Sequence, residues 1–251
     1  PVEVAVVGDA KALLQRLAPM VTNTPRPDWM QYIENLKQNH PSLAIPASDT
    51  LQPQQVISAL DTLVQEDPET IVVTGVGQHQ MWAAQFLSFN HANTFVSSGG
   101  LGAMGFELPA ALGAQVGKPG APVWSVAGDG GFQMTLQELV TLSEEKLPVK
   151  ILLLDNAMLG LVRQWQELFF DGNYSEVDLS DNPDFVEVAN AFGIEAFGIE
   201  RREEVDGAID RLINARGPIL AHVRIDPEEN VWPLGPPGKS NAEMMEKRHD
   251  A

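Results

Sequence analysis

Two short polar clusters carry the chemistry that this sequence can do. Gly128-Asp129-Gly130-Gly131 follows the apolar run 123–127, and Asp155-Asn156 follows a second apolar run, 149–154. Asp129 offers a carboxylate and Asn156 a carbonyl oxygen, both hard ligands suited to Mg²⁺. Gly130 and Gly131 can take φ > 0 and bare their N–H groups at a helix start, a ready cradle for an anion. A divalent cation beside an anion cradle is what a diphosphate needs. The first cluster alone also reads as a tight strand-to-helix turn with a solvated Asp. The paired Asn at a second strand end favours the metal–diphosphate reading.

The elements that must position these groups follow from the spacing. Asp129 and Asn156 stand 27 residues apart (156 − 129), about one βαβ unit. Strands joined by a crossover helix run parallel, so both residues emerge at carboxyl ends, the edge where open α/β sheets bind ligands. The surrounding pattern repeats this alternation. Strands are expected over 70–74, 94–96, 123–127, 149–154, 194–197 and 219–225. Helices are expected over 54–65, 79–87, 106–116, 135–145, 159–169, 183–192 and 202–215. The fold class is therefore α/β, a doubly wound, largely parallel six-stranded sheet.

Four segments are expected. Residues 1–20 read as the tail of another α/β domain, with a strand over 2–7, a structural Gly8-Asp9 turn and a helix over 10–17. Residues 21–50 read as a linker broken by Pro25, Pro27, Pro41 and Pro46, with one helix over 29–38. Residues 51–227 form the cofactor-binding domain, and Pro53 suits a first helical turn. Residues 228–251 form a polar tail that reads as mobile or, because Trp232 is costly to leave exposed, as a flap over a nearby site. The start has neither an initiator Met nor a signal-peptide pattern and reads like the middle of a longer protein.

Composition narrows the partners. The net charge is −18, which opposes nucleic acid and anionic membrane surfaces. An acidic chain that binds an anionic cofactor needs a cation to mediate, which strengthens the Mg²⁺ reading. No apolar run of about 18 residues occurs, so no spanning helix is expected. Cys is 0, which excludes thiol and disulfide chemistry and fits a reducing, cytoplasmic compartment. No G-x-x-x-x-G-K-[ST] loop occurs, and no G-x-G-x-x-G joins a strand to a helix with an acid on the next strand, so a nicotinamide-binding domain is a weak reading.

The stretch from Gly128 to Asn156 resembles the cofactor motif of thiamine diphosphate enzymes, which opens with Gly-Asp-Gly and closes with Asn. Other stretches narrow the resemblance to acetolactate synthase (acetohydroxyacid synthase) catalytic subunits: TGVGQHQMW at 74–82, SSGGLGAMGFELP at 97–109, DNAMLGLVRQWQELFF at 155–170 and the late ENVWPLGPPGKSNAEM. Carried over position by position, the resemblance implies that Gly77, Gln78 and His79 hold the diphosphate with the N–H groups of Gly130 and Gly131. It implies that Asp129, Asn156 and the backbone carbonyl of Met158 ligate Mg²⁺. Gly102 would offer its carbonyl to the aminopyrimidine, Met104 would wedge between the two cofactor rings, and Val162 and Trp165 would line the acceptor pocket. Taken alone, His79 reads as a helix cap or surface group, Met104 as gap filler and Trp165 equally as core packing or as a substrate contact. Two residues depart from the family's pattern: Gly75 stands where relatives commonly carry an acid, and Glu107 where they commonly carry Gly. Asp155 stands where many relatives have Asn, which leaves its role open.

The activity so implied condenses pyruvate with pyruvate or 2-ketobutyrate, with loss of CO₂, in branched-chain amino acid biosynthesis. FAD would be bound by the complete enzyme, chiefly outside these residues. The resemblance also implies a homodimer or higher homo-oligomer, with room for a small regulatory subunit. The catalytic Glu would come from a separate N-terminal domain of the neighbouring subunit, for which Glu3 and Glu34 are no substitute. Two other readings stay open on sequence: another thiamine diphosphate-dependent decarboxylase or carboligase, and a fragment that binds the cofactor without catalysis.

Overall fold

The computed structural model describes residues 2–39, 43, 45 and 47–246. The chain divides into two compact units, residues 1–42 and 43–251, and the division falls within the proline-broken segment.

Among its described residues the first unit holds two α-helices, α1 (Ala10–Leu17) and α2 (Pro27–Asn39). Asp9 caps α1, its carboxylate accepting from the Ala12 N–H at 2.8 Å, so the Gly8-Asp9 pair serves as a structural turn. The expected strand over residues 2–7 is absent. Among the described residues this segment pairs with no strand, and Val7 is 100% exposed. Apolar alternation does not make a strand without a neighbouring ladder to take its N–H and C=O groups.

The second unit opens with α3 (Pro53–Glu66) and then alternates strand and helix. The strands are β1 (Ile71–Thr74), β2 (Phe95–Ser97), β3 (Val123–Gly128), β4 (Lys150–Asp155), β5 (Glu195–Ile199) and β6 (Ile219–Arg224). They form one sheet in the order β2-β1-β3-β4-β6-β5, with every pair parallel. The helices between them are α4 (Gln78–Phe86), α5 (Glu107–Gly117), α6 (Asp129–Thr135), α7 (Leu139–Glu144), α8 (Gly160–Phe169), α9 (Phe185–Ala191) and α10 (Val205–Asn214).

Strand side chains alternate between the sheet's two faces, and both faces are covered. Trp124 and Val126 of β3 and Leu152 and Leu154 of β4 enter one core, with Leu60 of α3, Trp82 of α4 and Leu212 of α10. Val123, Ala127, Ile151 and Leu153 enter the other, with Leu108 of α5, Phe132 of α6, Leu142 of α7 and Phe185 of α9. Burying each of these large side chains stabilises the fold by about 1.5–3 kcal/mol.

The strand order fixes where a ligand can bind. The chain leaves β1 through α4 on one face of the sheet and reaches β3 through α5 on the other. Between the carboxyl ends of β1 and β3 this reversal opens a crevice, the switch point of a doubly wound sheet.

One expected helix is differently built. Residues 135–145 do not form a single helix: α6 starts at Asp129, directly at the end of β3, and a 3₁₀ turn over Leu136–Glu138 separates it from α7. The first turn of α6 must pass close to its neighbours, and only glycine fits there. A Cβ on Gly130 would stand 2.7 Å from Leu159 Cδ2, and one on Gly131 would stand 2.7 Å from Glu107 Oε1. These glycines are therefore helical, not left-handed as expected, and close approach is the reason for them.

The segment after β6 also differs from expectation. Val231 and Leu234 are buried, the Gln85 amide donates to the Trp232 carbonyl at 3.2 Å, and Leu234 pairs with Met245. Residues 229–234 are docked on the unit rather than free. No helix among the described residues is long and apolar enough to cross a membrane.

Candidate functional site

A cavity of about 200 Å³ opens at the switch point, and four strand ends contribute to it. After β1, Gly77 adopts φ 150°, a conformation that a side chain would strain, and turns the chain so that α4 begins with Gln78 and His79 at the wall. After β2, a glycine-rich loop brings Gly102, at φ 69°, and Met104 to the wall. The end of β3 brings Gly128, Asp129, Gly130 and Gly131, and the end of β4 brings Asn156 and Met158. Val162 of α8 lines the same cavity. A second, more open cavity shares Leu161 and Val162 with it and is walled by Trp165 and Phe169. The structure thus brings to one cavity every residue named for cofactor or metal binding, together with Val162, while Trp165 stands in the adjoining cavity.

The electrostatics centre on two adjoining carboxylates. The Asn182 side-chain amide donates to Asp129 Oδ2 at 2.9 Å and to Asp155 Oδ1 at 3.4 Å. Burial first, and the charge of Asp155 second, push the Asp129 pKa from 3.8 up to about 8. Burial acts against Asp155 too, but its hydrogen bonds to His222 (Nε2 at 2.7 Å) and to the Ala157 N–H (2.8 Å) outweigh it and hold the pKa below 3.8. Asp155 keeps the charge of the pair, and Asp129 accepts a proton or a cation. Among the described residues no group of three or more His, Cys, Asp or Glu gathers as a metal site. A cation here would rest on one carboxylate with amide and carbonyl oxygens, a set that suits a hard ion.

His79 is buried, and burial lowers its pKa to about 4, so the imidazole is neutral near pH 7. Its Nε2 is buried without a hydrogen-bond partner among the described residues, and the ring packs so tightly on Gly128 that a Cβ there would stand 2.7 Å from Nδ1. The Gln78 amide has structural work. It donates to Gln164 Oε1 at 3.0 Å and to the Glu229 carbonyl at 3.2 Å, and its Oε1 accepts from Asn156 Nδ2 at 3.2 Å. The loop after Asn156 is held open by Ala157 in the left-handed region, φ 54°. Leu159 donates to the Val177 carbonyl and Leu179 to that of Ala157, so residues 177–179 brace this turn from outside.

Helix α8 is inverted. It buries Arg163 and Gln164 and leaves Val162, Trp165 and Phe169 at the surface, with Trp165 38% exposed. Trp165 is therefore not core packing. It stacks edge-on against Phe169 at 5.5 Å. The buried polar pair latches the segment after β6: Arg163 donates to the Glu228 carbonyl and to Asn230 Oδ1, both at 2.9 Å, while Gln164 exchanges hydrogen bonds with the Val231 backbone at 2.9 and 3.0 Å.

Sequence reasoning missed Asn182, Gln164 and His222. Asn182 precedes Pro183 and reads as a turn, and His222 lies inside an apolar strand. The two departures from the family's pattern, Gly75 and Glu107, are neighbours in space.

A doubly wound sheet with this cavity at its switch point is the architecture of a cofactor-binding α/β domain. Residues 75–223 match the family described as thiamine pyrophosphate enzyme, C-terminal TPP binding domain, and the chain belongs to that family. It is 47% identical over 244 residues to the acetolactate synthase isozyme 2 large subunit of Escherichia coli (strain K12), covering 97% of this chain and 44% of that protein. It is 42% identical over 259 residues to the acetolactate synthase of Mycobacterium leprae (strain TN), covering 98% and 41%. The acetolactate synthase isozyme 1 large subunit of Escherichia coli (strain K12) is 40% identical over 242 residues, covering 96% and 43%. The chain spans less than half the length of these curated relatives.

Proposed function

We propose that this chain is the cofactor-binding portion of an acetolactate synthase catalytic subunit, joining pyruvate to pyruvate or 2-ketobutyrate with loss of CO₂. The observation that carries this reading is the convergence, in one cavity, of the first turns of α4 and α6 with Asp129, Asn156 and Met158. The donor set fits Mg²⁺–thiamine diphosphate on two counts. The buried His79 Nε2 has no hydrogen-bond partner among the described residues, and burial with the charge of Asp155 disfavours an uncompensated Asp129 carboxylate.

Asp129, the Asn156 side-chain oxygen and the Met158 carbonyl would hold the cation; the α4 and α6 amides and neutral His79 would hold the diphosphate. Gly102 and Met104 would support the remainder of the cofactor. When bound, the cofactor supplies the electron sink that lets a 2-keto acid lose CO₂ and then add to a second carbonyl. Gln78 acts by tying α4 to Asn156 and α8, which fixes the spacing between diphosphate and cation. Val162 and Trp165 present an apolar face to the acceptor. Among the described residues that line the cavity there is no glutamate, and the carboxylate there, Asp129, is committed to the cation. The family resemblance implies that the proton relay comes from a separate domain of a neighbouring subunit; a homodimer or higher homo-oligomer, FAD, a regulatory subunit and a cytoplasmic location belong to the same proposal.

Calorimetry of the chain with thiamine diphosphate tests the binding half: heat of binding is expected with Mg²⁺ and not with EDTA. Product analysis of the complete enzyme tests the other half. Acetolactate supports the reading, and acetaldehyde as sole product would reassign the chain to a decarboxylase.

A further inference from the structure

Glu107, the first residue of α5, is 0% exposed, and neither carboxyl oxygen has a hydrogen-bond partner among the described residues. A buried acid so placed is costly unless its bulk is needed. The space it fills shows the need. Glu107 Oε2 lies 1.8 Å from where a Cβ on Gly75 would stand, and Oε1 lies 2.7 Å from where one on Gly131 would stand. Gly75 follows β1 and Gly131 lies in the first turn of α6, so the carboxyl group is wedged between the two segments that bring Val76, Gly77 and Gly131 to the cavity. Glu107 itself does not line the cavity. Gly105, at φ 76°, closes the third side: a Cβ there would stand 3.1 Å from the Gly131 carbonyl.

The geometry points to Glu107 as a positioning residue: its carboxyl group is the spacer that sets the separation of the β1 end from α6, filling side-chain space that Gly75 leaves vacant. It deepens the proposed reading of the site and rests on it for the ligand. The group works by shape. Burial raises its pKa from 4.5 to about 7, and the N–H groups of Gly105 and Glu107 lower it only in part, lying near the carboxyl but outside hydrogen-bond geometry. No charged side chain contributes; Asp129, the titratable group of α6, is governed by Asp155 and Asn182. A spacer of this kind can be delivered from either side of the gap but not from both at once.

The experiment is a reciprocal exchange in the full chain, read by thermal unfolding without cofactor and by calorimetry with thiamine diphosphate and Mg²⁺. Glu107→Ala should weaken binding by on the order of tenfold, and Glu107→Gln, which keeps the shape, should stay within about threefold of the parent. Gly75→Asp alone should lower the unfolding midpoint, because two acids then compete for one space. Gly75→Asp combined with Glu107→Ala should recover both the midpoint and the affinity relative to either single change. Independent, additive losses in the double variant would overturn the spacer role, as would Glu107→Gln binding as weakly as Glu107→Ala. If the parent binds no thiamine diphosphate, the proposed function fails, and the unfolding midpoints of the same four variants still decide the spacer.

Discussion

Asp129→Asn should make the metal-free chain more stable and at the same time remove its Mg²⁺-dependent affinity for thiamine diphosphate. Asp129 is buried beside Asp155, and its pKa is raised from 3.8 to about 8. The sign follows from linkage. An acid whose pKa is raised by folding is accommodated below its ordinary value, and the stability it contributes is lost as pH rises from about 4 towards 8. At pH 7 the distance from 3.8 bounds the penalty at on the order of 4 kcal/mol. Asn removes the charge and keeps an oxygen for the Asn182 amide, so a gain of about 1–3 kcal/mol is expected. In a unit of this size that is on the order of 2–10 °C in unfolding midpoint. The assay is thermal unfolding in EDTA across pH 4–8: the two curves should meet near pH 4 and separate as pH rises. With Mg²⁺ and cofactor at a thousandfold excess over Kd the order should invert, since only the parent gains binding energy, about 4.1 kcal/mol, more than the variant's advantage. A variant less stable than the parent at pH 7–8 in EDTA would refute the carboxylate-pair argument. Equal stabilisation of both proteins by Mg²⁺ and cofactor would refute the metal assignment.

Other outcomes follow from single distances. Gly160→Ala would place a Cβ 2.0 Å from Gln78 Oε1 and 2.5 Å from Asn156 Nδ2, so cofactor affinity should fall by tenfold or more, read by calorimetry, with far-ultraviolet dichroism unchanged. Arg163→Ala strips hydrogen-bond donors from Glu228 and Asn230; it should cost about 2–3 kcal/mol in urea unfolding and open residues 228–246 to limited proteolysis. Glu107→Gln should remove a stability loss that the parent shows between about pH 4.5 and 7, the window set by its raised pKa, bounded at on the order of 3 kcal/mol; parallel pH–stability curves would contradict it. Trp165→Leu in the complete enzyme should reduce preference for 2-ketobutyrate over pyruvate by an amount worth about 1–3 kcal/mol at most, read from the product ratio in a two-acceptor competition.

The cavity was legible in the sequence because its parts lie at strand ends, and strands that will be buried on both faces announce themselves as apolar runs. Residues 123–127 and 149–154 end where chemistry begins, and β3 and β4 end within a residue of those limits. Parallel pairing then makes sequence spacing into spatial proximity, which is why Asp129 and Asn156 were placed on one edge without a contact being known. What stayed hidden was set by tertiary neighbours. The run 2–7 has strand character but no partner strand among the described residues. The glycines after Asp129 looked like left-handed turn residues, yet they are helical, and what they avoid is Leu159 and Glu107, contacts that no local pattern encodes.

Helix α8 shows the same limit in a form that bears on function. Its apolar residues recur at helical spacing, which ordinarily points a stripe into the core. Here the stripe of Val162, Trp165 and Phe169 faces outward because Arg163 and Gln164 have better partners inside: the carbonyls of Glu228 and Val231, the Asn230 side chain and the amide of Gln78. A buried guanidinium and amide are tolerable only when so satisfied, so the docked segment after β6 and the outward apolar face depend on each other. The segment after β6 latches the buried side of α8 and leaves the indole facing the second, open cavity. Among the described residues this apolar face stays uncovered beside a cavity whose lining holds no glutamate, an arrangement that fits the proposal of a second subunit packing there.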